Sequence, residues 1–352
     1  MDKSSSNSYR QSFEKIKHLT KPNLLLYWGD LLGTAACCYG LMYLCMTSPV
    51  LSLERWLSFA MCTFFVNRGI YFIHEIVHQG KHLKGFETAH SLLFGCVFKI
   101  PSYIHTPHHY HHRSTSYATM DDPEWDDAWI GQSLGKYLSV IPVSLMIPVI
   151  LFVRFTLVPL TYPFIGEARR NKIFQKASTF AMNPKYERPM HTKEEFRSWM
   201  LQDGLACAIN GSVLILFLTN HMSLVNFATF HLFCSSFFFL NFYRALVAHK
   251  YVADQSNKTI EAQVKDSISI PSSLSDFFWA PLGLKFHSLH HYFPTIPYHN
   301  LQKAHEILVA AGDEVYLSSL ESSLPEALRK AGTGENRKVR ADSGEGDVEI
   351  AA

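Results

Sequence analysis

Long apolar runs alternate along the chain with polar stretches that are rich in histidine. Residues 24–46 form one such run, long enough for the roughly 20 apolar residues that a helix needs to cross a bilayer. Residues 56–73 form a second run. Two further runs, residues 205–219 and 224–246, flank the short polar sequence NHMS, which predicts a helical hairpin. The pattern therefore predicts an all-α integral membrane protein.

Residues 138–165 are also apolar, but prolines and Arg154 interrupt them, and each disfavours a continuous lipid-facing helix. Lys and Arg are concentrated in the N-terminal region and in residues 167–197. The positive-inside rule places both of these segments in the cytoplasm, so the chain between them crosses the membrane an even number of times. Residues 138–165 then supply either no crossing or two, which gives four transmembrane helices, or possibly six.

The two ends of the chain differ from its centre. Residues 1–20 form a polar, mildly basic tail without the short apolar core of a secretory signal. Residues 329–352 are rich in glycine, charge and small side chains, which predicts a disordered C-terminal tail. We expect residues 21–328 to form one integral-membrane domain with a cytoplasmic helical cap, and both termini to lie on the cytoplasmic side.

The composition agrees with a partly embedded protein. Hydrophobic residues make up 47% of the chain, and charged residues make up 18%, below the roughly 25% of an ordinary soluble domain. The formal net charge of +2 comes with no nucleic-acid-binding motif. All seven cysteines lie in apolar runs and form no C-x-x-C pair, which is typical of small buried hydrophobic side chains.

The chain contains 19 histidines, and two clusters of them have helical spacing. The sequence HEIVH contains His74 and His78, and the sequence HSLHH contains His287, His290 and His291. Residues three and four positions apart share one face of a helix, so each cluster presents two or three imidazoles to a common point. This spacing predicts metal binding.

A middle cluster, HTPHHYHHRST, fits the pattern H-x-x-H-H twice, as His105, His108 and His109 or as His108, His111 and His112. The even number of crossings places all three clusters on the cytoplasmic side, where they can meet. Imidazole suits Zn, Cu, Fe and Ni, so the ligand type leaves the metal open. Eight imidazoles exceed what one tetrahedral zinc accepts, and they suit two metals.

The sequence HEIVH alone also matches the H-E-x-x-H pattern of zinc proteases, in which Glu75 would activate a water held near His74 and His78. Such a site needs one further ligand and leaves both H-x-x-H-H clusters unexplained. A membrane-embedded zinc metalloprotease is therefore the alternative from a different functional class.

Together, the three clusters resemble the histidine boxes of the membrane-bound fatty acid desaturase and hydroxylase superfamily, whose members hold a non-haem di-iron centre. The resemblance extends from His74 to about His305. The threonine and the Asp-Pro that follow the family's middle box match Thr115, Asp122 and Pro123, which selects the second register of that box. The stretch WAPLGLKFHSLHHYFPTIPYHNL looks like the third-box region of bacterial-type acyl desaturases.

The resemblance implies two iron ions with dioxygen as co-substrate. Because the family commonly uses one further histidine near the end of the fourth span, the resemblance also adds His249 to the ligands. The implied metal ligands are His74, His78, His108, His111, His112, His249, His287, His290 and His291. Metal-bound histidines usually need a partner for their second ring nitrogen. The carboxylate candidates for this role are Asp122, Glu124, Asp266 and Asp276, and the resemblance adds Asn241, because some relatives place an asparagine near this helix end.

The implied activity is that of an oxidoreductase, a fatty acid desaturase that uses dioxygen and two external electrons to introduce a double bond into a fatty acyl chain of a lipid or thioester. Hydroxylation of a lipid or carotenoid is the alternative within the superfamily. We find no haem domain, four-cysteine iron-sulfur spacing or G-x-G-x-x-G motif, so we expect a separate ferredoxin or small haem cytochrome with its reductase. The expected location is the bacterial inner membrane, or the endoplasmic reticulum in a eukaryote, with the active site on the cytoplasmic side.

Overall fold

The computed structural model describes residues 3–125, 134–251, 259–272, 276–333 and 335, which are largely helical. This part of the chain contains isolated β-bridges and no extended strand, so the prediction of an all-α protein is confirmed. Its α-helices are, in chain order, α1 (Lys3–Ile16), α2 (Leu24–Thr47), α3 (Leu53–Gln79), α4 (Phe86–His90), α5 (His108–His111), α6 (Leu134–Phe152), α7 (Glu167–Lys176), α8 (Lys193–Leu218), α9 (Leu224–Leu246), α10 (Ile260–Asp266), α11 (Asp276–Trp279), α12 (His287–Tyr292), α13 (Leu301–Ala310), α14 (Glu314–Leu317) and α15 (Leu324–Thr333).

Five helical segments of the described chain are long and apolar enough to cross a membrane. They are α2, α3 with the short turn after it, the run Leu138–Phe164, α8 and α9. The predicted boundaries of the first and last spans agree with α2 and α9. Helix α8 begins earlier than predicted because Thr192 and Glu195 form a capping box, in which each side chain bonds the backbone of the other residue.

The run Leu138–Phe164 is helical throughout, so it is not a pair of crossings. The residues before and after this run contact each other: the Phe180 amide donates to the Ile104 carbonyl at 2.8 Å, and the Met182 amide donates to the Pro123 carbonyl at 2.8 Å. The segments on either side of the run therefore lie close together, as expected when the run adds no crossing. This favours four crossings, the first of the two predicted alternatives.

Asp30, the acidic residue of α2, is neutralised inside the protein. The Nε of Arg68 in α3 donates to Asp30 Oδ1 at 3.0 Å, and the Tyr298 hydroxyl donates to Asp30 Oδ2 at 2.7 Å. A carboxylate within a membrane span is costly unless it is paired in this way. The same bonds hold α2 and α3 against the loop that follows the third histidine cluster.

Both ends of the chain are more ordered than the sequence suggests. The predicted N-terminal tail forms α1 and a short turn, and Ile16 and Leu19 are buried against Tyr292, Phe293 and other apolar residues beside the third histidine cluster. The apolar residues of an otherwise polar helix account for this docking. At the C-terminus, residues 329–333 belong to α15, so the predicted disordered tail begins too early, and its remainder lies almost entirely outside the described residues.

Candidate metal centre

The three histidine clusters lie on three short helical surfaces that face one another. His74 and His78 are one turn apart near the end of α3. The middle cluster occupies α5, a single turn, with His112 as its C-cap, and the third cluster forms most of α12. His249 follows the end of α9 and forms an isolated β-bridge with Ser267. Segments far apart in the chain thus deliver imidazoles to one region.

Five of these histidines form a first group, in which one nitrogen of each ring lies within 4.8 Å of the others: His74, His78, His108, His112 and His290. The Nε2 of His290 lies 3.1 Å from the Nε2 of both His78 and His112. The Nε2 atoms of His108 and His112 are 2.9 Å apart. The group therefore presents several ring nitrogens to one small volume.

Four more histidines form a second group with the same close spacing: His111, His249, His287 and His291. The Nε2 of His249 lies 3.1 Å from the Nε2 of His111 and 2.8 Å from that of His287. The two groups are adjacent, because the ring centroids of His112 and His291 are 4.4 Å apart. All nine predicted ligands thus lie in one or the other group.

The hydrogen bonds made by the Nδ1 atoms determine which nitrogen of each ring carries the hydrogen and which carries the lone pair. His111 Nδ1 contacts both oxygens of Asp122 at 3.0 Å, so it carries the hydrogen and leaves Nε2 without one. The Tyr117 hydroxyl donates to Asp266 at 2.6 Å, so His249 Nδ1, 3.0 Å away, donates to the Tyr117 oxygen. When both rings are neutral, the Nε2 atoms of His111 and His249 present lone pairs to each other, and a shared cation would stabilise this arrangement.

The remaining features also fit a metal. Nitrogens bound at about 2.1 Å from one metal and at right angles lie about 3 Å apart, as the Nε2 atoms do here. His74 Nε2 and both ring nitrogens of His291 are buried without a hydrogen-bond partner within the described chain, although buried polar atoms are normally paired. Imidazoles alone, in groups of five and four, suit iron among other transition metals.

Burial keeps the third cluster in the form that binds a metal. It lowers the pKa of His287, His290 and His291 well below the usual value, and the neighbouring imidazoles lower it further. The same causes lower the pKa of His112 and His249. These rings are therefore neutral near pH 7, with a free lone pair for a metal.

The predicted carboxylate partners differ in where they lie. Asp122 and Glu124 contact the Nδ1 atoms of His111 and His108, respectively, and Asp266 reaches His249 through Tyr117. Asp276 lies elsewhere, because α11 places it 3.0 Å from Lys285 in an ion pair, and no histidine contact is seen for it in the described chain.

Asn241, the remaining candidate partner, accepts a hydrogen bond from the Tyr71 hydroxyl at 2.7 Å and lines the cavity beside the histidines. It makes no hydrogen bond to an imidazole within the described residues. Sequence reasoning missed Tyr117 and Arg244, because neither belongs to a spacing pattern. For Arg244 the available signal was a cation placed five residues before His249, at the end of an apolar span.

Glu75 is turned toward the protein framework. Its Oε2 accepts hydrogen bonds from the Tyr27 hydroxyl and, at 3.3 Å, from the Tyr298 amide. Its Oε1 lies 3.8 Å from His74 Nδ1, which is longer than a hydrogen bond. Glu75 therefore connects α2 and the loop after α12 to α3. This position does not favour the role of a base acting on a water between His74 and His78.

We expect Asp122→Ala to weaken metal binding by about 10- to 100-fold, the usual effect of removing a partner of a metal-bound histidine. The substitution frees His111 Nδ1 and also removes the acceptor of the Ala118 and Glu124 amides, at 2.9 Å each. Metal retention during titration with a chelator measures the effect. Asp121→Ala is the matched control, since Asp121 is the exposed neighbour. Equal retention in the two variants would contradict the assigned role.

A cavity beside both histidine groups offers space for a substrate. It is lined by apolar side chains such as Ile70 and Phe237, together with His74 of the first group and His249 of the second. A second, larger cavity of about 370 Å³ lies between α6 and α9. Phe180, Met182 and Asn241 line both cavities. Apolar walls next to a metal site suit an apolar substrate.

Comparisons with known proteins agree with this site. The family model described as fatty acid desaturase matches residues 53–321, a segment that contains all nine histidines. A ceramide hydroxylase from Caulobacter vibrioides (strain NA1000 / CB15N) is 32% identical over 336 residues, which cover 91% of this chain and 91% of that protein. No solved structure matches the chain.

Proposed function

Because this chain belongs to the fatty acid desaturase family, we propose that it is a membrane oxidase that hydroxylates the acyl chain of a ceramide-type lipid. The extended similarity to a ceramide hydroxylase is the observation on which the choice of substrate and reaction depends. The two adjacent histidine groups support a pair of irons as the cofactor. The chain is thus an oxidoreductase of lipid metabolism with an apolar substrate.

The nine histidines would hold the two irons, which supply the activation of dioxygen when bound. In the balanced reaction, one C–H bond, one dioxygen, two electrons and two protons give one C–OH bond and one water. The chain's own residues fix the geometry: Asp122, Glu124 and Tyr117 hold three of the imidazoles from behind. Apolar walls such as Ile70 and Phe237 exclude water from the reacting carbon.

The two cavities would form a path for a lipid chain from the bilayer to the histidines. The larger cavity is lined by Val143, Ile147 and Leu151 of α6, and Val143 is 41% exposed on the apolar surface. From there the shared residues Phe180 and Met182 lead to the histidines. An acyl chain would therefore enter from the side, without first passing through water.

Acyl desaturation is the second candidate, because the third-box region looks like that of acyl desaturases. The structure gives this motif a packing role. Gly283 has φ +71, and a Cβ there would lie 2.7 Å from the Leu301 side chain and 3.2 Å from the Tyr298 carbonyl oxygen. Only glycine fits this close approach. Since the motif supports the loop after α12, it favours neither reaction.

Mass spectrometry of lipids tests the proposal. Membranes from an expressing host are supplied with palmitoyl ceramide, a ferredoxin and its reductase, and the His290→Ala variant is the control. A product heavier by one oxygen, absent from the control, is expected. A product lighter by two hydrogens would support desaturation instead. If neither product forms, the proposed function is contradicted.

Glu75→Gln is expected to retain at least about half of the hydroxylating activity. The glutamine Oε1 can still accept from Tyr27 and from the Tyr298 amide, so the framework hydrogen bonds persist at a net cost of about 1 kcal/mol or less. A zinc protease would lose nearly all turnover, because this residue would be its base. Product formation per mole of purified protein distinguishes the two. Complete loss with unchanged metal content would contradict the framework role assigned to Glu75.

We place the site on the cytoplasmic side, with a separate ferredoxin or haem cytochrome as the electron donor. Two parts of this proposal, the cytoplasmic location and the separate donor, are supported by exposed cations near α7 and α8, including Arg169, Lys172, Lys193 and Arg197. They set the topology and would attract an acidic donor. A fluorescent reporter that folds only in the cytoplasm, fused to the C-terminus, tests the sidedness. No fluorescence from a stably expressed fusion would contradict it.

A further inference from the structure

Among the polar residues that line the cavity and belong to neither histidine group, three are joined by hydrogen bonds: Tyr71, Asn241 and Arg244. The Tyr71 hydroxyl donates to Asn241 Oδ1 at 2.7 Å and accepts from Arg244 Nε at 2.9 Å. A longer bond of 3.4 Å joins Arg244 Nη2 to the same Asn241 oxygen. Tyr71 and Asn241 are buried, and Arg244 is half-buried. We refer to these residues as the polar trio.

The polar trio retains donors that it does not use internally. A guanidinium carries five N–H donors, and Arg244 directs only Nε and one Nη2 bond into the trio. Within the described chain, neither Arg244 Nη1 nor the Asn241 amide nitrogen has a hydrogen-bond acceptor, and Glu124, the carboxylate that lines the same cavity, forms no ion pair with Arg244. Donors left over in an apolar cavity suit an acceptor on a bound molecule, such as a carbonyl oxygen.

The polar trio also lies close to both histidine groups. Tyr71 precedes His74 by three residues on α3, and residues at this spacing have Cβ atoms about 5–6 Å apart on one helix face. Arg244 precedes His249 by five residues and lines the same cavity. Tyr71, and with it the trio that its hydrogen bonds join, therefore lies about one helical turn from a histidine of the first group.

Building on the proposed function, we propose that the polar trio binds the amide carbonyl of the ceramide and thereby selects which carbon is oxidised. An extended chain advances about 1.2 Å per bond, so one helical turn corresponds to about four bonds. A carbon in the middle of a long acyl chain lies much farther from the carbonyl. The hydroxyl group is therefore placed on one of the first three carbons after the carbonyl carbon.

The position of the hydroxyl group in the product tests this proposal. Wild-type protein oxidises palmitoyl ceramide in the assay above, and tandem mass spectrometry locates the oxygen. We expect it next to the amide or within the first three carbons. The Arg244→Gln variant is expected to raise KM about tenfold, with a smaller change in kcat, and to spread the hydroxyl group over carbons farther along the chain. Tyr71→Phe, which removes only a hydroxyl, is expected to act in the same direction.

Binding without turnover provides the second readout. Metal-free protein in detergent is titrated with palmitoyl ceramide, and the Kd is expected to be about tenfold weaker for Arg244→Gln than for wild type. Arg10→Gln is the matched control, because Arg10 is exposed on α1 and lines neither cavity. Equal elution profiles of the variants on gel filtration show that each is folded. Should Arg244→Gln aggregate, Arg244→Lys and Tyr71→Phe replace it.

The outcomes separate this proposal from the proposed function. Oxidation in the middle of the acyl chain, or wild-type Kd, KM and product position in a folded Arg244→Gln variant, would overturn the role of the polar trio and leave the hydroxylase proposal intact. No oxidation of ceramide by the iron-loaded wild type would overturn the hydroxylase proposal, and this inference with it. Both proposals are supported if wild type oxidises a carbon near the carbonyl and the variants place the hydroxyl group on carbons farther along the chain as well.

Discussion

Replacing His290 with alanine is expected to abolish turnover and to remove one of two metal equivalents. The His290 Nε2 lies 3.1 Å from the Nε2 atoms of both His78 and His112, so it is central to the first histidine group. Removing only a partner of a metal-bound histidine costs about 10- to 100-fold in metal affinity, so loss of a ligand itself is expected to cost more than 100-fold. The second group, on four other histidines, should retain its metal.

Metal analysis of the purified protein, together with the ceramide assay, measures this effect. His82→Ala is the matched control, because His82 is exposed next to the first cluster and belongs to neither histidine group. His291→Ala is the complementary variant, since it belongs to the second group and should lose the other equivalent. Two equivalents of metal in His290→Ala, or no metal in wild-type protein loaded with iron, would contradict the proposed ligand assignment.

Eight of the nine histidines stand out in the sequence because their spacing is local, whereas the ninth, His249, came only from the family resemblance. Spacings of three and four residues place imidazoles on one helix face wherever the helix lies. The division into two groups could not be predicted in this way. His111 and His112 are neighbours, yet they belong to different groups, because successive residues on α5 point in directions about 100° apart.

Contacts between distant segments could not be predicted from the sequence, because they depend on how the helices pack. Tyr117 acts only because α10 brings Asp266 to it, and Asp276 falls away from the histidines because α11 lies beside Lys285. In the sequence, the basic stretch 167–197 is typical of a topology signal. Within it, Arg188 is buried and donates to the Ser178 and Tyr103 carbonyls at 2.8 Å each. Charge in the sequence does not reveal which cations are structural.

Arg154 shows how a cation can occupy an apolar run. It is buried, and its Nη1 donates to Asp203 of α8 at 2.8 Å. Asp203 also accepts from the hydroxyls of Tyr103 and Tyr162, at 2.5 Å each. A buried pair is tolerated when further hydrogen bonds satisfy both partners in this way. The network joins the end of the Leu138–Phe164 run to α8 and to the segment just before the middle histidine cluster.

Asp203→Ala is expected to destabilise the protein by about 3–5 kcal/mol, because it leaves the Arg154 guanidinium buried without a counter-charge. Two tyrosine hydroxyls lose their acceptor at the same time. For a protein of this size, the change corresponds to a fall in the apparent Tm of at least about 5 °C. Since Tyr103 lies two residues before His105, the middle cluster should also lose order, and metal retention should fall.

Thermal unfolding in detergent, followed by gel filtration of the heated samples, measures the effect. Asp203→Asn keeps the shape and one acceptor but removes the charge, so its Tm should lie between those of Asp203→Ala and wild type. Glu194→Ala is the matched control, because Glu194 is an exposed acid in the first turn of the same helix. The double variant Arg154→Leu/Asp203→Leu, which removes both charges, should recover part of the loss, because no unpaired ion remains buried. If the Tm of Asp203→Ala equals that of wild type, then the Arg154–Asp203 pair does not hold α8 to the run Leu138–Phe164.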